Sequence, residues 1–234
     1  MGGVAGRLIL HSRLPTIVGL VVALAWPLLF VLVPGQMHQD VTNARQDEQI
    51  LALEWCMTAV VAIIVIYWER LPFFASVGLR RPSWRDVLAV AIALAAIIAV
   101  IAAVAFVLHG GATFSVADPA KVKNLPLGLR IGLVFTAGIC EEILFRGYAI
   151  ERFTALTGKL WLGGFAAIVL FTLGHVARYG LSVGLLGVAI IAIFLTLIYV
   201  RRRNLWPCIA THWIIDGLPL LVAPQFVHGR PTIM

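Results

Sequence analysis

Charged residues are scarce in this chain of 234 residues. Asp, Glu, Lys and Arg make up 12% of it, whereas soluble domains contain about a quarter. Hydrophobic residues make up 61%, and the mean hydropathy is +0.99. This balance excludes an ordinary soluble domain and indicates a polytopic membrane protein, so we expect an all-α transmembrane helix bundle.

Cysteine is also scarce. The three cysteines, Cys56, Cys140 and Cys208, are far apart, odd in number and located within apolar runs. Because no CxxC or similar metal-type spacing occurs, the sequence argues against a disulfide framework and against a cysteine metal site. We interpret these cysteines as small apolar core residues.

Acidic residues are fewer than basic ones, and the formal net charge is +7. The basic residues stand in short clusters between apolar runs, at 80–85 and 201–203 for example. Such clusters set the orientation of a membrane protein and do not resemble the continuous basic surface that binds nucleic acid. We therefore expect the lipid bilayer as a partner and no nucleic acid.

Apolar runs recur along the chain, and Gly- or Pro-containing turns separate them. A membrane-spanning helix needs about 20 apolar residues. On this basis the sequence predicts about seven spans, at about 14–33, 50–68, 86–108, 128–150, 160–178, 181–200 and 205–223.

Lys and Arg are distributed unevenly between the two sides of these spans. The N-terminal segment and the second, fourth and sixth loops hold eleven, and the opposite side holds five. Since basic loops stay in the cytoplasm, the pattern predicts a cytoplasmic N-terminus. The short loops and the lack of an ER-type retrieval signal favour a prokaryotic plasma membrane.

Two GxxxG pairs lie at the predicted spans. Gly128 and Gly132 open the fourth span, and Gly180 and Gly184 lie near the sixth. Small residues at this spacing let two membrane helices approach closely. The pairs therefore predict close helix packing at both places.

The fourth predicted span is unusual because it contains charged residues. Glu142 and Arg146 are four residues apart on one helix face, which predicts a structural ion pair. Glu141 lies about 100° around an α-helix from Glu142 and lacks such a partner. Because an intramembrane charge is costly, Glu141 is a candidate for proton-transfer chemistry.

Titratable residues on two other spans accompany these glutamates. His175 follows Phe171 near the end of the fifth span, and His212 and Asp216 share one face of the seventh. A lone intramembrane histidine commonly makes a hydrogen bond between helices. An acid, two histidines and a further carboxylate on three spans indicate a shared functional site.

The residues form three ordered motifs: Glu-Glu-x-x-x-Arg, Phe-x-x-x-His and His-x-x-x-Asp. They resemble the motifs of the CPBP (Abi) family, the CAAX-prenyl-protease and bacteriocin-processing group of intramembrane endopeptidases. The resemblance covers about residues 128–223, four spans that form the catalytic core in that family. It implies N-terminal accessory transmembrane helices and loops at 1–127, this four-helix core at 128–223 and a C-terminal tail at 224–234.

The resemblance implies hydrolysis of a peptide bond near or within the membrane. Glu141 and His175 would activate the attacking water, while His212 and Asp216 would stabilise the oxyanion. The substrate would be a peptide or a membrane protein, with or without an attached lipid. The residues with supporting structural roles would be Glu142, Arg146 and Phe171.

No cofactor is expected, since the chain lacks the HExxH zinc-protease motif. Zinc is the alternative, because two histidines and two carboxylates resemble the ligands of a catalytic zinc site. The ligands would then be Glu141, His175, His212 and Asp216. Asp216 departs from the eukaryotic relatives, which tend to have Asn there, and an ionised Asp cannot donate a hydrogen bond to an oxyanion. Its alternatives are to orient His212, to be protonated or to bind a metal.

Two other classes of function use the same residues. A membrane transporter or proton-relay protein could pass protons along the acids and histidines, although no inverted repeat is detectable in the sequence. A catalytically silent immunity or scaffold protein of the same fold could keep the motifs and bind a partner.

Overall fold

The structure is a computed structural model that describes residues 13–32, 44–109 and 119–226, without the side chains of 26–32 and 109. The regular elements among these residues are all helical. Five helices are long and apolar enough to cross a membrane: Ala44–Trp68, Trp84–Leu108, Leu160–Tyr179, Val183–Arg202 and Trp206–Phe226. The predicted all-α membrane helix bundle is confirmed, and the protein is a multi-pass membrane protein.

The helices follow one another without an intervening strand in the described part of the chain. The α-helices are α1 (Arg13–Leu32), α2 (Ala44–Ile63), α3 (Phe73–Ser76), α4 (Trp84–His109), α5 (Pro119–Lys123), α6 (Leu127–Thr136), α7 (Glu151–Thr157), α8 (Leu160–Gly174), α9 (Val176–Tyr179), α10 (Val183–Arg202) and α11 (Trp206–Gly217). Three π-helical segments continue α2, α6 and α11: Ile64–Trp68, Ala137–Ile150 and Leu218–Val222. A short 3₁₀ turn, Ala223–Phe226, follows the last of these segments.

Helices occupy all seven positions at which the sequence predicts spans. The first, α1, contains a shorter apolar stretch, Arg13–Ala25, among its described residues. The fourth consists of α6, the π-helical segment Ala137–Ile150 and α7, which run on without interruption. We call this continuous element the central helix. It carries the charged residues of the first motif, and it is not among the five helices that qualify as membrane spans by length and composition.

The central helix lies in the middle of the bundle. All of its residues from Cys140 to Ile150 are buried. Helices α1, α2, α8 and α11 pack around this segment. By contrast, α4 exposes many large apolar side chains, which suits contact with lipid. The chain therefore buries its charged helix and turns its most apolar helix outwards.

The predicted close packing at the two GxxxG pairs is found at the second glycine of each pair: a Cβ on Gly132 would lie 3.4 Å from Leu51 on α2, and one on Gly184 would lie 3.1 Å from the ring of Tyr179 on α9. Among the described residues, no atom outside the local chain lies within 4 Å of a Cβ built on the first glycine of either pair. Closer approaches occur elsewhere: a Cβ on Gly138 would overlap the ring of Trp213, and one on Gly163 would lie 2.8 Å from the Ile150 carbonyl oxygen. The motif marks a flat helix surface, but the position of the neighbouring helix decides whether the surface is used.

Ion pairs join the helices at one end of the bundle. Arg152, which the sequence places in a loop, instead lies inside this end and is fully buried. Its Nη2 atom is 2.6 Å from Oε2 of Glu69 at the end of α2. Two partly exposed pairs lie at the same end: Arg202 with Asp86, and Arg203 with Glu151. We refer to these three ion pairs as the paired end.

Candidate active site

A cavity of about 150 Å³ lies between α2, the central helix, α8 with α9, α10 and α11. Most of its wall is apolar, and Leu133, Val188 and Ile215 are examples. A small number of charged and polar side chains also line the cavity: Glu54, Glu141, His175, Arg178, Tyr179, His212 and Asp216. An apolar cavity with a few convergent polar groups has the character of a binding or catalytic site.

The structure brings the predicted catalytic residues to this one cavity. Glu141 comes from the central helix, His175 from the junction of α8 and α9, and His212 and Asp216 from α11. Sequence reasoning missed three other lining residues: Glu54, Arg178 and Tyr179. The sequence does contain a signal for Glu54, because it is an acid within a predicted span, but no motif includes it.

Glu141 and Glu142 lie in the π-helical part of the central helix. In a π-helix the backbone hydrogen bonds run from residue i to i+5, and such segments occur frequently at functional sites. Glu141 is buried at the cavity wall, and its Oε2 atom has no hydrogen-bond partner among the described residues. Its carboxylate is therefore available to a molecule inside the cavity.

Glu142 connects the first and third motifs. The expected ion pair is present, with Nη1 of Arg146 2.7 Å from Oε1 of Glu142. The same oxygen lies 2.8 Å from Nδ1 of His212 on α11. Because an ionised carboxylate only accepts hydrogen bonds, Nδ1 of His212 is the donor. Glu142 thus fixes the orientation of the His212 ring, a contact that the spacing of the motifs could not predict.

Phe171 lies between two charged or titratable parts of the site and contacts both. The guanidinium carbon of Arg146 lies 4.3 Å from the centre of its ring, within the range of a cation–π contact. The ring of His175 lies 4.6 Å from the same ring, centre to centre. Phe171 therefore packs the first motif against the second, which gives it a structural place at the site.

His175 lies where α8 ends and the short α9 begins. Its Nδ1 atom is 2.8 Å from the carbonyl oxygen of Phe171. A carbonyl oxygen can only accept, so Nδ1 carries a hydrogen. In the neutral ring, Nε2 then has the free lone pair. This tautomer makes His175 suitable as an acceptor of a proton from water.

Two carboxylates also lie near Nε2, the second ring nitrogen of His212. Nε2 lies 3.8 Å from Oε2 of Glu141 and 3.5 Å from Oδ2 of Asp216. Both distances exceed those of a good direct hydrogen bond. The Asp216 side chain is 30% exposed, which makes it the most accessible of the three. His212 therefore lies between carboxylates from two helices, and its Nε2 atom makes a good direct hydrogen bond to neither.

The four ligands of the zinc alternative, Glu141, His175, His212 and Asp216, all line the cavity. Within the described ranges, no group of three or more His, Cys, Asp and Glu side chains is disposed to hold a metal ion. One ring nitrogen of His175 is bonded to the Phe171 carbonyl, and one of His212 to Glu142. Metal-binding histidines also make such a bond from the second ring nitrogen, so these two bonds are compatible with both the metal-free and the zinc alternatives.

Comparison with known proteins supplies an independent observation. The family described as type II CAAX prenyl endopeptidase Rce1-like matches residues 123–218. This range contains all three motifs and the cavity-lining residues of the central helix, α8, α9 and α10. Searches of curated proteins and of solved structures found no match. Over residues 123–218 the chain is similar to this prenyl endopeptidase family, which agrees with the resemblance of its three motifs to the CPBP intramembrane endopeptidases.

Proposed function

We propose that this protein is an intramembrane endopeptidase in which Glu141 and His175 activate water. The observation that carries the proposal is that both residues and His212 line one cavity and that all three lie within the segment that matches the protease family. An apolar wall around a few polar groups suits a peptide that reaches the site from the bilayer. The proposed location is a prokaryotic plasma membrane, with a cytoplasmic N-terminus.

In the first step, water attacks the carbonyl carbon of the scissile peptide bond. Oε2 of Glu141 makes no hydrogen bond to the described residues, and Nε2 of His175 has a free lone pair, so both can accept hydrogen bonds from that water. As the new C–O bond forms, one O–H bond of the water breaks and its proton passes to Glu141. General-base catalysis of this kind contributes about 10²–10⁴ to the rate.

In the second step, the tetrahedral intermediate collapses. His212 donates from Nε2 to the oxyanion, while its Nδ1–H bond to Glu142 holds the ring in place. Asp216, 3.5 Å from Nε2, positions the same ring instead of donating to the oxyanion. The C–N bond then breaks, and the proton held by Glu141 passes to the leaving amine.

The test is a comparison of peptide termini in membranes that contain the wild-type protein or Glu141→Gln at matched expression. We expect new termini in the wild-type sample that are absent from the variant. Prenylated and unmodified substrates are both scored, since the family description names prenyl endopeptidases. A suitable control is Glu48→Gln, because Glu48 is an exposed acid on α2. Identical termini in all samples would replace this proposal with the transporter or scaffold interpretation.

A further inference from the structure

Glu54 is a buried acid that the proposed mechanism does not use. It lies on α2, within the N-terminal part of the chain and outside the family match at 123–218. Its residue surface is only 4% exposed, yet it lines the same cavity as Glu141 and His212. A helix outside the three motifs therefore contributes a carboxylate to the site.

One oxygen of this carboxylate lacks a partner. Oε2 of Glu54 makes no hydrogen bond to any described residue. The neighbouring Trp55 does not supply one, because its Nε1–H donates to the hydroxyl of Thr136 at 3.0 Å. A buried acceptor without a donor lowers the stability of the fold. A carboxylate retained in this state is suited to a ligand that brings the donor.

The charge of the cavity indicates which donor fits. Three carboxylates line it, those of Glu54, Glu141 and Asp216, against two cations: the guanidinium of Arg178 and the His212 ring, which is doubly protonated when it donates from both nitrogens. The Arg178 guanidinium lies against the ring of its neighbour Tyr179, 5.9 Å from the ring centre. A cationic group would bond to a carboxylate about twice as strongly as a neutral one does. The excess of carboxylates therefore favours a cationic side chain.

We propose that Glu54 is a substrate-binding residue that accepts hydrogen bonds from a Lys or Arg side chain close to the scissile bond. This inference deepens the proposed function and rests on it, since it requires the cavity to hold a peptide. It assigns a role in substrate selection to α2, whereas the motif helices carry the chemistry.

Binding is measured first, in the full-length Glu141→Gln protein in lipid nanodiscs, so that cleavage does not interfere. The probes are two fluorescent apolar peptides with blocked termini that differ at one central residue, lysine or the uncharged norleucine. We expect the lysine peptide to bind about tenfold more tightly, the effect of one charged hydrogen bond. Adding Glu54→Gln should remove this preference, and adding Glu48→Gln should leave it intact.

Equal binding of the two peptides to the Glu141→Gln protein would overturn the inference. So would a lysine preference that survives Glu54→Gln, because another group would then be responsible. Glutamine can still accept a hydrogen bond from a peptide N–H. If Glu54→Gln left the binding of both peptides unchanged, Glu54 would bind the peptide backbone, and the inference would also be rejected.

Cleavage-site sequences separate this inference from the proposed function. In active protein, we expect Lys or Arg to be enriched at one fixed position beside the cleaved bond. Glu54→Gln should abolish that enrichment while cleavage continues. Cleavage without any basic preference would reject the role of Glu54 alone. A lysine preference in binding without Glu141-dependent cleavage would reject the protease and keep the cationic binding site.

Discussion

The paired end and the cavity both bury charged groups, but they satisfy them to different degrees. At the paired end, Glu69 accepts from Arg152, Tyr148 and Thr16, and Nη1 of Arg152 donates to the Ser76 carbonyl. In the cavity, Glu54 and Glu141 each keep one oxygen without a hydrogen-bond partner among the described residues.

The difference is one of degree, because Glu142 and Arg146 beside the cavity also keep buried atoms without a hydrogen-bond partner among the described residues. A buried network in which each charge is bonded makes the packing specific and holds helices in register. A buried charge with an open acceptor lowers stability, and its natural partner is a water or substrate that enters the site. The same residue types thus have opposite roles at the two places, and substitutions can reveal this.

The largest expected effect is on catalysis. We expect Glu141→Gln to lower the cleavage rate by about 10²–10⁴, because it removes the proposed general base. The thermal midpoint in nanodiscs should stay the same or rise, since Oε2 of Glu141 makes no hydrogen bond to the described residues and its contact with Nε2 of His212 is a long one of 3.8 Å. Rate and midpoint are measured on the same purified samples. A variant that unfolds early would instead place Glu141 among the structural charges.

At the paired end we expect the reverse outcome. Arg152→Met leaves Glu69 buried without its cationic partner, which should lower stability by about 3–5 kcal/mol. The measurement is the unfolding midpoint in nanodiscs, with Arg201→Met as a control because Arg201 is exposed at the same end. An unchanged midpoint would mean that this ion pair does not hold the bundle together.

Glu142→Gln should give an intermediate effect on both properties. Glutamine can still accept a hydrogen bond, but it lacks the charge that holds Arg146 and Nδ1 of His212. We expect a lower midpoint and, per folded molecule, about a tenfold lower cleavage rate, equivalent to about 1.4 kcal/mol. Active-site titration corrects for unfolded protein. A lower midpoint with full activity would assign Glu142 to structure alone.

The smallest expected effect is at the partly exposed pair of Arg203 and Glu151. Nη2 of Arg203 is 2.6 Å from Oε2 of Glu151, but the Arg203 side chain is 36% exposed. Exposed pairs contribute about 0–1 kcal/mol, so Arg203→Met should shift the unfolding midpoint only slightly. If Arg203→Met lowered the unfolding midpoint as much as Arg152→Met does, solvent exposure would not account for the contributions of these ion pairs to stability.

Contacts within one helix could be predicted better than contacts between helices. The pair of Glu142 and Arg146 follows from a spacing of four residues, which fixes two side chains on one face. The bond from His212 to Glu142 joins residues 70 positions apart, so no local pattern contains it. The same reason explains why the sequence does not predict which glycines of the GxxxG pairs are packed and why it places Arg152 in a loop.

The sequence by itself determined that this is an all-α membrane protein with charged motifs on separate spans, since apolar length and helical period are local properties. Only the tertiary structure decided which charged side chains pair with each other and which keep an atom without a hydrogen-bond partner. Helix packing set Glu69 against Arg152 and brought Glu54 to the wall that Glu141 also lines. Because a charge becomes structural or available through its neighbours in space, this distinction exists only in the folded bundle.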